Sequence, residues 1–276
     1  MALFSMKDVT IRLQREPAVL VTVLATQGSV PREAGAWMLV FAKDEAGTVG
    51  GGHVELEAIA QARTMLQSQA AKEDADLPEP QSREWKLGPS LGQCCGGAMR
   101  LRFERVSQDD AHALATRLAP KLAPLALFGG GHVGRAIVNA LGPLPFAVTW
   151  IDSRDEIFPD AVPPNVRCDH SDPLHAAVPA LPVQSRVLVM SFSHADDLDI
   201  IAACLKRMRE SDDLPYVGLI GSKTKWATFR HRLEHRGFGE DDFARVTCPI
   251  GIAGIKGKEP EVIAAGVVAQ ILLLAP

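Results

Sequence analysis

The feature that most constrains this chain is Gly129-Gly130-Gly131-His132-Val133-Gly134, which follows an apolar run over 125–128 and opens a helical stretch over 132–141. Glycines in the spacing Gly129-x-Gly131-x-x-Gly134 permit a tight turn and let backbone N–H groups approach a phosphate, and the helix N-terminus adds partial positive charge. Asp152 ends the next apolar run, at the spacing of an acid that bonds ribose hydroxyls. A strand, a glycine turn, a helix and an acid in this order predict a Rossmann-type unit. The turn serves either a nucleotide-like ligand or only close packing of helix on sheet, and both readings stand at this point.

The rest of the second half fits that unit. Strands are expected over 125–128, 146–151, 187–190 and 216–220, with a short extra strand at 166–168, and helices over 132–141, 196–209, 223–236 and 260–274. Such alternation implies a parallel sheet with helices on both faces. The last run, 262–276, is very apolar but is interrupted by Gln270. A membrane span needs about 20 apolar residues, so a buried helix is expected there.

The first half reads as a smaller α+β domain. Residues 19–25 form a β-branched run expected to be a strand covered on both faces. A second strand is expected over 37–41, then a hairpin loop over 43–47, with the return strand starting at Thr48-Val49. Gly50, Gly51 and Gly52 precede an alanine-rich helix from His53 to about Ala70. Residues 71–82 hold two prolines and several charges and are expected to be a loop. Met99, Leu101 and Phe103 alternate with charged residues, the pattern of a half-buried strand. Ser107 with Asp109 and Asp110 looks like a helix cap. The domains are therefore drawn as 1–107, a linker helix over 108–122, and 123–276.

Composition excludes some classes. The chain has 276 residues, 47% hydrophobic and 22% charged, with a net charge of −4. That charge does not suit a nucleic-acid binder. The start mixes charge with apolar residues, unlike a secretion signal. Five cysteines are an odd number for a disulfide framework, so a cytoplasmic location is expected, without membrane association.

Several residues could carry chemistry. Gly28, Ser29 and Arg32 lie in a loop with one cation, which either pairs with an anionic ligand or is a solvated arginine. Gly50-Gly51-Gly52-His53-Val54-Glu55 is a second candidate anion cradle, in which Glu55 either meets a ligand or caps its own helix. Gln93, Cys94 and Cys95 sit between glycines. Adjacent thiols do not match zinc spacing; they suit a soft metal or sulfur donor, or else one is buried and one idle. His194 follows a strand and is either an acid–base residue or a loop histidine. The run from Lys223 to Arg236 either holds phosphate or an acidic partner or is a solvated basic face. Cys204 lies on an apolar stripe and is expected in the core. There is no His-Glu-x-x-His pair, and no proton-transfer pair for hydride chemistry.

Taken together, Gly28-Ser29-Val30-Pro31-Arg32, Gly50 to Glu55, Gly92-Gln93-Cys94-Cys95-Gly96-Gly97, Leu127 to Gly134, Trp150-Ile151-Asp152-Ser153-Arg154, Tyr216 to Ser222, Cys248-Pro249-Ile250-Gly251 and Gly254 to Pro260 resemble the xanthine dehydrogenase accessory proteins, the XdhC/CoxI family. The blocks run in family order across nearly the whole chain. The tail, with Gly257-Lys258-Glu259-Pro260, is similar to the proteobacterial branch. The resemblance implies a non-enzymatic chaperone, acting as a homodimer, for molybdenum cofactor, a pterin dithiolene with an anionic phosphate. It implies a cysteine desulfurase as sulfur source and the molybdenum subunit of xanthine dehydrogenase as recipient. It also implies that Gly28, Ser29, Arg32, Gly50, Gly51, Gly52, Glu55 and Gln93 hold the cofactor, with Cys94 and Cys95 either facing molybdenum or helping to pass sulfur. Gly129, Gly131, His132, Gly134 and Asp152 would add a cofactor or nucleotide subsite. A NAD-dependent oxidoreductase and a nucleotide-sensing regulatory module are the alternatives.

Overall fold

The computed structural model describes residues 6–70, 80–87 and 96–274. The chain divides into two compact units, Met1–Pro120 and Lys121–Pro276.

The first unit is built on a five-stranded antiparallel sheet of order β3-β2-β1-β5-β4. Its strands are β1 (Ala18–Gln27), β2 (Trp37–Val40), β3 (Glu45–Gly47), β4 (Gln81–Lys86) and β5 (Ala98–Val106). Helices α1 (Met6–Leu13), α2 (Gly52–Ala70) and α3 (Ala111–Arg117) complete it. Side chains alternate across a strand, so β1 feeds two cores. Val19, Val21 and Val23 pack with Val54, Ala58 and Ala62 of α2. Ala18 and Leu20 pack with Val9 and Leu13 of α1 and Ala111 and Leu114 of α3. The start of β1 is thus covered on both faces, as its unbroken β-branched run implies. Ser107 is the N-cap of a 3-10 helix over Gln108–Asp110, which leads into α3.

Three local expectations differ from the structure. The return strand lies at Glu45–Gly47, inside the stretch expected as hairpin loop, and only its Ala46 is buried. β4 occupies the end of the expected loop and continues beyond it; only Trp85 of its six residues is buried. Both are edge strands, and an edge with one buried side chain carries no alternation to read. Helix α1, at the start of the described chain, was also not anticipated.

The second unit carries a six-stranded sheet of order β11-β10-β9-β6-β7-β8, every neighbouring pair parallel. The strands are β6 (Ala123–Phe128), β7 (Phe146–Asp152), β8 (Val166–His170), β9 (Arg186–Val189), β10 (Tyr216–Leu219) and β11 (Val246–Thr247). Helices α4 (His132–Leu141) and α8 (Pro260–Leu273) pack on one face with Leu125, Leu127, Val148 and Trp150. Helices α5 (His194–Ser211), α6 (Lys223–Glu234) and α7 (Glu240–Phe243) cover the other with Phe128, Ile151, Val187 and Val217. The fold is α/β, with the Rossmann-like sheet expected in the second half. The two-residue β11 and the four-residue α7 are too short to leave a periodic signal. Among the described residues no helix is long and apolar enough to cross a membrane, and α8 buries Ala264, Val267 and Ile271.

Candidate functional site

In a parallel sheet of this order, the strand sequence reverses direction between β6 and β9, and ligands of such folds bind outside the carboxyl ends at that point. The turn Gly129–Gly134 stands there. Gly129 has φ +125°, and a Cβ on it would lie 2.1 Å from the carbonyl oxygen of Met190, just past β9. A Cβ on Gly134 would lie 2.1 Å from the Gly129 carbonyl oxygen. These two glycines are therefore required by packing whatever the turn binds. Gly131 is different: it is the N-cap of α4, with φ −69°, and its Cβ position is open. His132 is exposed at the first position of α4.

Asp152 lies at the end of β7, beside the turn, and its side chain is 0% exposed. Its Oδ2 accepts the Gly130 N–H at 2.6 Å and an Arg154 guanidinium N–H at 2.9 Å. Its Oδ1 accepts the Arg154 backbone N–H at 2.9 Å and the Arg154 Nε–H at 3.0 Å. Burial works to raise the pKa of this carboxyl, but the guanidinium and the two N–H donors outweigh it and hold the pKa below the ordinary carboxylate range. The Arg154 guanidinium also lies 4.9 Å from the ring centroid of Phe192, which is exposed. The Asp152-x-Arg154 spacing was the available signal, because an aspartate readily bonds the backbone two residues on. The indole N–H of Trp150 donates to the Gly129 carbonyl at 3.0 Å.

A second polar cluster sits at the ends of β9 and β10. Asp197 is buried and accepts from the Ser191 N–H and hydroxyl, each at 2.8 Å, and from Lys225 Nζ at 2.7 Å. Lys225 also donates to the Ile220 carbonyl at 2.9 Å. Neither sequence reading of the 223–236 run anticipated this: Lys225 holds no solvated or ligand-facing position but neutralises a buried acid. The hydrogen-bonding carboxylate lies 28 residues away in the chain, so no local pattern announces it. His194 is exposed, and its ring makes a T-shaped pair with Phe229, 6.4 Å between centroids. The thiol of Cys248 is pushed up in pKa by burial, and Cys204, in the core as expected, is pushed up to about 12 for the same reason.

In the first unit the structure brings together parts of three motif segments. A Cβ on Gly28 would lie 3.2 Å from Gly97 Cα, and one on Gly97 would lie 2.5 Å from the Ser29 carbonyl oxygen. Further along the same loop, a Cβ on Gly50 would lie 2.5 Å from Pro31 Cγ and 3.4 Å from Arg32 Cγ. The loop that carries Ser29 and Arg32 is thus flanked by the Gly96-Gly97 end of one motif and by the Gly50 turn of another. Gly51 and Gly96 have open space at their Cβ positions. Gly52 starts α2. Arg32 is exposed and has no hydrogen bond or ion pair to a described residue. Glu55 closes the turn: one carboxylate oxygen accepts from the Thr48 hydroxyl, from the Val49 N–H at 2.9 Å and from the Gly51 N–H at 3.0 Å. Gln93, Cys94 and Cys95 lie outside the described residues. Among the described residues no group of three His, Cys, Asp or Glu side chains is placed to hold a metal ion.

Comparison with known proteins adds the family. The model described as the XdhC Rossmann domain matches residues 125–271, and that of the XdhC and CoxI family matches residues 11–74. YqeB, an uncharacterized protein of Escherichia coli (strain K12), is 28% identical over 269 residues, which cover 94% of this chain and 44% of that protein. The chain thus spans less than half the length of the curated relative it matches. A crystal structure described as a xanthine dehydrogenase from Bacillus halodurans superposes with a TM-score of 0.76 at 19% identity, over 98% of this chain and 96% of that one, and shares the fold. On the family match over more than half its length, with its glycine turn and parallel sheet, this chain belongs to the XdhC family.

Proposed function

We propose that this protein is a maturation factor for a xanthine dehydrogenase, one that holds molybdenum cofactor as cargo rather than turning over a substrate. The observation that carries this reading is the meeting of the 28–32 loop, the Gly50–Gly52 turn and the Gly96-Gly97 segment beside Arg32, a cation with no partner among the described residues. An exposed guanidinium with no partner among the described residues, on a constrained loop beside the turn that opens α2 at Gly52, suits an anionic phosphate. The segment that ends in Gly96-Gly97 also contains Cys94 and Cys95, and thiolates are the ligands a soft metal prefers. The residues therefore fit the cargo: Arg32 and the glycine backbone would hold its phosphate, and the two thiols would face its metal–dithiolene end. The cargo brings the molybdenum centre on which the recipient enzyme depends.

In this reading the partners are a cysteine desulfurase and the molybdenum subunit of the dehydrogenase. The protein acts in the cytoplasm as a homodimer. The test is the metal and pterin content of the chain purified from a cofactor-producing host. Molybdenum near one per chain, with pterin fluorescence after oxidation, supports the proposal. If neither is retained, even after incubation with added cofactor, the proposal fails.

A further inference from the structure

Rossmann crevices are by default dinucleotide sites: the glycine turn takes the pyrophosphate and an acid at the end of the second strand takes the ribose hydroxyls. Asp152 stands in that acid's place, and its surroundings do not fit the role. A carboxylate has about four acceptor directions. Here four donors fill them: the Gly130 N–H, the Arg154 N–H and two guanidinium N–H groups of Arg154. A ribose would have to replace a bidentate, charge-assisted pair with neutral hydroxyl bonds at a carboxylate that is 0% exposed.

The neighbouring geometry reinforces this. Arg154 follows β7 and Phe192 follows β9, and β6 lies between those strands. The stack of the Arg154 guanidinium on the Phe192 ring therefore spans the end of β6, across the start of the glycine turn. Ile157 sits against Gly130, where a Cβ would lie 2.6 Å from Ile157 Cγ1. Arg135 of α4 donates to the Ile157 carbonyl at 3.3 Å, which ties the segment after β7 onto the helix that carries the turn.

We propose that Arg154 is a specificity-determining residue that bars adenine dinucleotides, NAD(H) and NADP(H), from this crevice. It does so by saturating Asp152 and by stacking with Phe192 over the turn. This inference does not rest on the first unit's proposed cargo and would stand if no molybdenum or pterin were bound.

The test uses the full-length chain and NADH or NADPH as probe. Trp150, bonded to the Gly129 carbonyl, serves as the energy-transfer donor to a reduced nicotinamide. The unmodified chain is expected to give no saturable transfer up to about 1 mM probe. Arg154→Ala combined with Phe192→Ala is expected to bind at least about tenfold more tightly. Because removing Arg154 leaves a buried charge, Arg154→Lys and Phe192→Ala are measured separately; each keeps a cation beside Asp152, and Phe192 is already exposed. Tighter binding by those folded variants supports the proposal even if the double variant does not fold. Micromolar binding by the unmodified chain overturns it. So does a set of folded variants, checked by circular dichroism, that bind no more tightly than the unmodified chain.

Discussion

Arg154 closes on Asp152 with both its backbone N–H and its guanidinium, so that one residue supplies three of the four hydrogen bonds to a fully buried carboxylate. The fourth comes from Gly130, which makes the pair a fastening between the end of β7 and the glycine turn.

That fastening has a pH signature. The pKa of Asp152 is lowered in the folded state, so its contribution is fully present above the unfolded carboxylate value of about 3.9. It is lost as pH falls from there through the folded value. Asp152→Asn, which leaves the guanidinium without its counter-charge, is expected to destabilise the second unit by about 3 kcal/mol at pH 7. The variant's urea midpoint should also change less than that of the unmodified chain between pH 4 and pH 2.

The glycines of the turn are unequal. Gly134→Ala places a Cβ against the Gly129 carbonyl and is expected to cost about 2 kcal/mol or more. Gly131→Ala meets open space at an ordinary φ and is expected to cost about 1 kcal/mol or less, as a change of helix cap. Urea unfolding of the two variants separates them, and equal losses would refute the assignment.

Lys225 and Asp197 form a buried pair, with side chains 13% and 1% exposed. Lys225→Met leaves an uncompensated buried carboxylate, for an expected loss of about 3 to 5 kcal/mol. Adding Asp197→Asn should restore part of that loss, and a double-mutant cycle reads the coupling directly.

Glu55 satisfies the Val49 and Gly51 N–H groups, so Glu55→Ala leaves both without a protein acceptor. The expected cost is about 2 kcal/mol, together with faster amide exchange at Val49 and Gly51. Unchanged exchange there would mean that the turn holds itself without the carboxylate.

Arg32 makes the contrasting prediction. Being exposed and without a partner among the described residues, it should be replaceable by Glu with a stability change within about 0.5 kcal/mol. The same change should lower the molybdenum and pterin recovered with the purified protein. Undiminished content would remove Arg32 from the proposed cargo site.

Much of this protein is legible along the chain because it is periodic or local. The β-branched run before Gly28, the alternation from Met99 to Phe103 and the glycine turn between strand and helix each depend on residues within a few positions. They suffice for a Rossmann-like sheet behind a smaller α+β unit. Edge strands β3 and β4 escaped because one buried residue makes no pattern. The chain order of the motifs was enough to suggest a family, but not to say what Asp152 touches. The bond from Gly130 to Asp152, 22 residues apart, and the meeting of Lys225 with Asp197, 28 apart, were decided by tertiary structure, whereas the Arg154 bonds to Asp152 are local. A charge in the sequence has no partner until the fold brings one within about 3 Å, and burial then makes that partner obligatory.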